Sequence, residues 1–184
     1  MLVLAAVSEE LGDLPGETVG IGPVVAAANA ARLLVKHQPS AVLMVGTCGV
    51  YPNRAHTIGT AIMGSEVGLS YGVAAMGLGY VPMAPKPVAC AAWPALDGVL
   101  PTAKILTTGA ITTDDTLAAR LSDVWDVEHL EAFGVAYACQ QMGIPFSVIL
   151  GIANDVGPNA HVQWLTHRDD AQEAARTAAK TLLG

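Results

Sequence analysis

Apolar positions fall along this chain in short runs, and each run ends in small or polar punctuation. "MLVLAAV" is a buried strand pattern feeding a helix or turn at Glu9–Glu10. Pro23 opens "VVAAANAARLLVKH", where apolar residues recur at helical spacing and basic residues close the last turn. "AVLMVGTCGVYP" is a second buried strand that breaks into a loop at Gly46, and "HTIGTAIMGSE" is a third strand. Residues 67–101 carry many Gly and Pro and no period, so they read as irregular. "KILTTGAITTDD" gives a strand, with Thr113 and Asp114 capping the helix "DTLAARL". "VWDVEH" is a short strand, and "LEAFGVAYACQQMG" is a helix bounded by Gly143. "IPFSVILGIAN" is the clearest strand, and an alanine-rich amphipathic helix covers 162–183. Strands alternating with helices, without repeat or linker, predict one three-layer α/β domain over 1–184.

Composition narrows what such a domain does. The chain is 52% hydrophobic and 14% charged, yet no apolar run reaches the roughly 18 residues of a membrane span. The opening lacks a basic region and reads as a strand, not a signal peptide. A formal net charge of −7, with no basic stripe, argues against nucleic acid as a partner. Cys48, Cys90 and Cys139 lack metal-ligand spacing and sit among small or apolar residues. They read as buried free thiols, which suits a reducing cytoplasm. "GIGPVVAAA" does not directly follow the first strand and contains Pro23, so a dinucleotide cofactor is not expected. His161, His167, Asp169 and Asp170 match no metal pattern and read as a solvated helix face. Trp125 and Trp164 read as core.

Four short stretches at strand ends can carry chemistry. Ser8–Glu9–Glu10 offers a carboxylate to orient a water, or acids that suit a helix N-terminus. In "VGTCGVYP", Gly46 and Gly49 let backbone N–H groups approach a ligand beside the Thr47 hydroxyl, unless this is an ordinary glycine turn. In "VEHLEAFGVAYAC", Glu131 stands one residue into an apolar helix, where it either caps the first turn or binds two adjacent hydroxyls. In "GIANDVG", Asn154 and Asp155 either form a turn or face a ligand. Strand alternation puts those two on opposite faces.

Taken in order, "AAVSEEL", "GIGPVVAAANAARLLVKHQPSAVLMVGTCG" and "VEHLEAFGVAYACQQMGIPFSVILGIAND" resemble the nucleoside phosphorylase/nucleosidase superfamily, over nearly the whole chain. Within it, "GTCGVYP", "LTTGAITTDD" and "GIANDVGPN" are similar to futalosine hydrolases, which act on a nucleoside of menaquinone synthesis. The resemblance implies a central mixed sheet between helices and a nucleosidase that needs no cofactor or metal. It places Glu131 on the ribose hydroxyls, with His129, Leu130, Gly46 and Thr47 in the substrate-binding set. Leu130 stands for the family's usual methionine. Glu10 falls where the carboxylate orients water, and Asn154 falls where the base is bound, with Asp155 as a fallback acid. An amide at 154 suits N7 and O6 of a 6-oxopurine such as hypoxanthine. Met44 stands where phosphorylases carry a phosphate-binding arginine, and Arg54 is the lone arginine near the second loop. Water is thus the expected nucleophile; phosphorolysis and a nucleoside-binding homologue without turnover are the alternatives. The resemblance also implies a homodimer or larger assembly.

Overall fold

The computed structural model describes residues 1–93, 96 and 98–184. Among them, eight strands alternate with six helices. β1 (Leu2–Ala5) leads into the single-turn α1 (Ser8–Leu11), β2 (Gly16–Thr18) and α2 (Pro23–His37). β3 (Val42–Val50), β4 (Ala61–Leu69), the short α3 (Gly72–Ala75) and β5 (Val88–Ala89) follow. The chain closes with β6 (Thr102–Thr107), α4 (Asp115–Leu121), β7 (Val127–His129), α5 (Ala132–Gln141), β8 (Phe146–Asp155) and α6 (Ala160–Leu183).

All eight strands join one mixed sheet. β2 and β1 run parallel beside β3. β3 pairs in parallel with β8, β8 antiparallel with β4, β4 in parallel with β6, and β6 in parallel with β7. β7 returns antiparallel to β3, so these five strands close a circuit. Helices cover both faces, giving the expected α/β/α sandwich. Alternation along β3 explains the layering. Val42 and Met44 join a core with Ala26, Ala30 and Leu33 of α2 and Ala132, Val135 and Cys139 of α5. Leu43 and Val45 face Ala175, Ala178 and Ala179 of α6. The alanine-rich helices allow a close approach: a Cβ on Gly151 of β8 would collide with the Ala171 carbonyl oxygen of α6. Only glycine fits there at this helix–sheet distance.

Several local expectations hold. Pro23 opens α2, and Lys36 and His37 close it. The Asp114 carboxylate caps α4 by accepting the Leu117 N–H at 2.7 Å. Gly143 follows α5 with φ 67°, the left-handed value a glycine supplies there. One expectation needs correction, and one strand was not foreseen. The strand does not break at Gly46: β3 runs on to Val50, because β8 and β7 flank its second half and take up its hydrogen bonds. β2, a three-residue edge inside the Gly-rich "GETVGIGP", is too short and polar to carry a hydrophobic pattern. Among the described residues, no helix is long and apolar enough to cross a membrane.

Candidate active site

The sheet's register brings the polar residues of four strand ends together. Gly49 of β3 lies opposite Glu128 of β7 on one side and Asn154 of β8 on the other. α1 hangs from the end of β1 beside them, held from outside by the Arg176 guanidinium, which donates to the Glu9 carbonyl at 2.9 Å. A cavity of about 330 Å³ opens at this junction. Glu10, Thr47, Glu128, His129, Leu130, Glu131 and Asn154 line it, as do Ile21, Ile111, His161 and Trp164.

Glu10 is buried, and its carboxylate is tied at both oxygens. Oε2 accepts the Ala6 N–H at 3.1 Å; Oε1 accepts the Thr47 N–H at 3.0 Å and the Thr47 hydroxyl at 3.4 Å. Burial pushes its pKa above the ordinary carboxylate value, and His129 and the two N–H groups work against that. The Thr47 hydroxyl also accepts the Trp164 indole N–H at 3.1 Å. Thr47 thus ties Glu10 to α6 while lining the cavity.

Glu131 immediately precedes α5 and does not cap it. The helix N-terminus is satisfied otherwise: His129 Nδ1 accepts the N–H groups of Glu131 and Ala132, each at 3.0 Å, and Thr107 Oγ1 accepts that of Phe133 at 2.8 Å. Freed from capping, the Glu131 carboxylate crosses to Gly22 and accepts its N–H at 2.9 Å. Burial raises its pKa too, against the N–H groups of Gly22 and Leu130. His129 Nδ1 lies 3.4 Å from Glu131 Oε2, close enough to pass for an ion pair. It is not one, because Nδ1 already accepts two N–H bonds and carries no proton. The ring is neutral, with its hydrogen on Nε2. Burial agrees, pulling the His129 pKa down to about 4.

Glu128 is a buried carboxylate that sequence reasoning passed over. It accepts the Tyr51 hydroxyl at 3.0 Å and the Thr112 N–H and hydroxyl at 2.9 and 2.5 Å. Burial raises its pKa against these donors. Asp126, Glu128 and His129 make "VWDVEH" half polar, so an acid there did not stand out. The bonds to Thr112 fix the loop that carries Ile111 into the cavity.

Asn154 and Asp155 separate as alternation requires. Asn154 is buried in the cavity wall, and its NH₂ donates to the Asp155 carbonyl at 2.9 Å. One amide N–H and the amide oxygen are thereby left for a ligand. Asp155 is exposed and turned to α6, where Gln163 donates to its carboxylate at 3.1 Å and accepts its N–H at 2.9 Å. It does not line the cavity, so a fallback acid role has no geometric basis. Gly46 and Gly49 act by making room, not by lending a loop. A Cβ at 46 would stand 3.0 Å from Glu10 Oε1 and 3.2 Å from His129 Nε2, and one at 49 would stand 2.6 Å from Asn154 Nδ2.

Two residues, Trp164 and Cys90, fall differently from expectation. Trp164 is only part-buried and walls the cavity, its ring roughly parallel to that of His161 at 6.2 Å and under the Arg168 guanidinium at 5.2 Å. Arg54 pairs with Asp126 at 3.2 Å, away from the cavity. Cys48 and Cys139 are buried free thiols, while Cys90 is part-exposed. Among the described residues, no group of three or more His, Cys, Asp or Glu could hold a metal ion.

The chain matches the phosphorylase superfamily model over residues 14–184. No curated protein matches it. Among solved structures, it is similar to the 5′-methylthioadenosine/S-adenosylhomocysteine nucleosidase of Colwellia psychrerythraea 34H in complex with adenine. That likeness has 19% identity and a TM-score of 0.82, covering 99% of this chain and 93% of that one. The Neisseria meningitidis nucleosidase in complex with methylthio-immucillin-A gives 18% identity and a TM-score of 0.84, covering 99% and 97%. Futalosine hydrolase of Helicobacter pylori gives 14% and 0.82, covering 98% and 95%. Shared fold over the whole length and a family match over nearly all of it agree: the chain belongs to the phosphorylase superfamily.

Proposed function

We propose that this chain is a nucleosidase that hydrolyses the N-glycosidic bond of a purine nucleoside, with a 6-oxopurine base such as that of futalosine. The supporting observation is the charge of the cavity: Glu10, Glu128 and Glu131 line it beside a neutral His129, and no lysine or arginine does among the described residues. Breaking the bond builds positive charge on the sugar and negative charge on the base. Carboxylates stabilise the first. A wall of carboxylates without cations repels phosphate, which favours water as the nucleophile over phosphorolysis. Glu131 anchors the ribose hydroxyls through the oxygen that Gly22 does not occupy. Glu10, with a pKa raised by burial, takes the proton of the attacking water. The free N–H and carbonyl of Asn154 match O6 and a protonated N7 of a departing 6-oxopurine. The nucleosidases and futalosine hydrolase that share the fold supply the reaction class.

The test is release of hypoxanthine from futalosine or inosine in phosphate-free buffer. Glu131→Ala and Asn154→Ala are each expected to slow release about a hundredfold or more. Base release at the wild-type rate in both variants, or strict dependence on phosphate with ribose 1-phosphate as product, would overturn the assignment.

A further inference from the structure

His129 is the group in the cavity to which the proposed reaction gives no task. Its ring is fixed with unusual completeness. Two N–H groups at the start of α5 converge on Nδ1, which settles the tautomer and leaves the only ring proton on Nε2. Among the described residues Nε2 has no hydrogen-bond partner, although His129 is otherwise buried and lines the cavity. A donor held this firmly and left unused faces whatever the cavity binds. Nε2 also converges on Glu10: both border the space beside Gly46, where a methyl group would stand 3.2 Å from Nε2 and 3.0 Å from Glu10 Oε1. Donors within the chain fill three of the roughly four acceptor positions of the Glu10 carboxylate. Thr47 occupies Oε1 twice and Ala6 occupies Oε2 once, so the position that remains for an outside proton is on Oε2, the carboxylate's other oxygen from the one nearest Gly46.

We propose that His129 binds the attacking water: its Nε2–H donates to the water oxygen, while one water proton points to the last acceptor position on Glu10. The inference rests on the nucleosidase reading of the cavity. With the oxygen held at one lone pair and one proton, its other lone pair is free to aim at C1′. In the step, the water oxygen bonds to C1′ and the C1′–N bond breaks, its electron pair leaving with the base. The water proton passes to Glu10, and an equivalent proton is gained by the released base when Glu10 returns to the carboxylate. His129 keeps its proton throughout. Neutrality matters, because an imidazolium here would cancel the negative charge of Glu10 and Glu131 that the sugar cation needs. The low pKa of the buried ring preserves that neutrality.

Two variants separate this role from a structural one. His129→Asn keeps an amide oxygen where Nδ1 accepts the α5 N–H groups and removes the Nε2 donor. His129→Gln places an NH₂ near Nε2. The expected result is an ordered water within hydrogen-bond distance of Glu10 and His129 Nε2 in a high-resolution crystal structure of the wild type, and its loss in His129→Asn. Nitrogen NMR of the wild type should show a proton on Nε2 alone. In His129→Asn, kcat should fall about a hundredfold with KM within about threefold, and His129→Gln should recover about tenfold. Absence of that water, wild-type kcat in His129→Asn, or equal loss of activity and thermal stability in both variants would overturn the role. A wild type that holds the water but releases no base from any nucleoside would instead sink the nucleosidase reading and leave the water site standing.

Discussion

β3 is one continuous strand that serves two purposes. Its first half, Val42–Val45, is aliphatic and buried on both faces, between α2 and α5 on one side and α6 on the other. Its second half, Gly46–Val50, inserts two glycines and a threonine into the same ladder. The first half holds layers together by filling space. The second half holds polar side chains together by leaving space: Glu10 and His129 meet over Gly46, and Asn154 lies against Gly49. The register shift between Cys48 and Gly49 marks the change of task. Stability and chemistry thus sit in adjoining halves of one backbone, and mutation should separate them.

The largest separation is expected at Leu43. Truncation to alanine leaves a cavity between the sheet and α6, and should cost about 3 kcal/mol, lowering Tm by about 10 °C. Base release per folded molecule, measured well below that Tm, should stay at the wild-type value. A loss of turnover as large as that of a site variant would erase the distinction between the halves. Gly49→Ala tests the other side. Its Cβ would stand 2.6 Å from Asn154 Nδ2, so the amide must turn and release the Asp155 carbonyl. Turnover should fall about a hundredfold, near 2.7 kcal/mol in transition-state stabilisation. The Tm should move less than for Leu43→Ala. The reverse ranking would mean that Gly49 serves packing.

The sequence made the first half of β3 easy to read and the second half easy to misread. Apolar runs and helix boundaries depend on neighbours along the chain, which is why β1, α2, α5, β8 and α6 were foreseen closely. The apparent loop at Gly46 depended on neighbours far along it. Glycine is a local turn signal, but two flanking strands overruled it by pairing. Glu10, Glu131 and Asn154 could be singled out because a polar residue among apolar ones is conspicuous, and the structure brings all three to one cavity. Glu128 escaped notice, and Trp164 was read as core, for the complementary reason. An acid in a three-residue strand and a tryptophan on a helix look ordinary until β7 closes against β3 and α6 turns its first helical turns to the site.

Acid should sharpen the contrast by a smaller amount. Nothing in Val42–Val45 titrates, whereas the second half is flanked by His129, Glu10, Glu128 and Glu131. The three carboxylates have raised folded pKa values, so the stability they contribute is present below about 4.5 and fades as pH rises through those values. His129 acts in the opposite sense. In the unfolded chain it protonates near 6.5, but folded burial holds its pKa down to about 4. Stability from the neutral ring is therefore present above 6.5 and lost as pH falls toward 4. The carboxylates are common to wild type and His129→Asn, so the difference between their denaturation curves reports the imidazole together with its coupling to Glu10. Between pH 7.5 and pH 5, wild type should lose about 2 kcal/mol relative to His129→Asn. The cost of Leu43→Ala should be the same at both pH values. Parallel curves for wild type and His129→Asn would mean that the folded ring takes up its proton near the ordinary value. The tautomer fixed by α5 would then not be the resting state of the site.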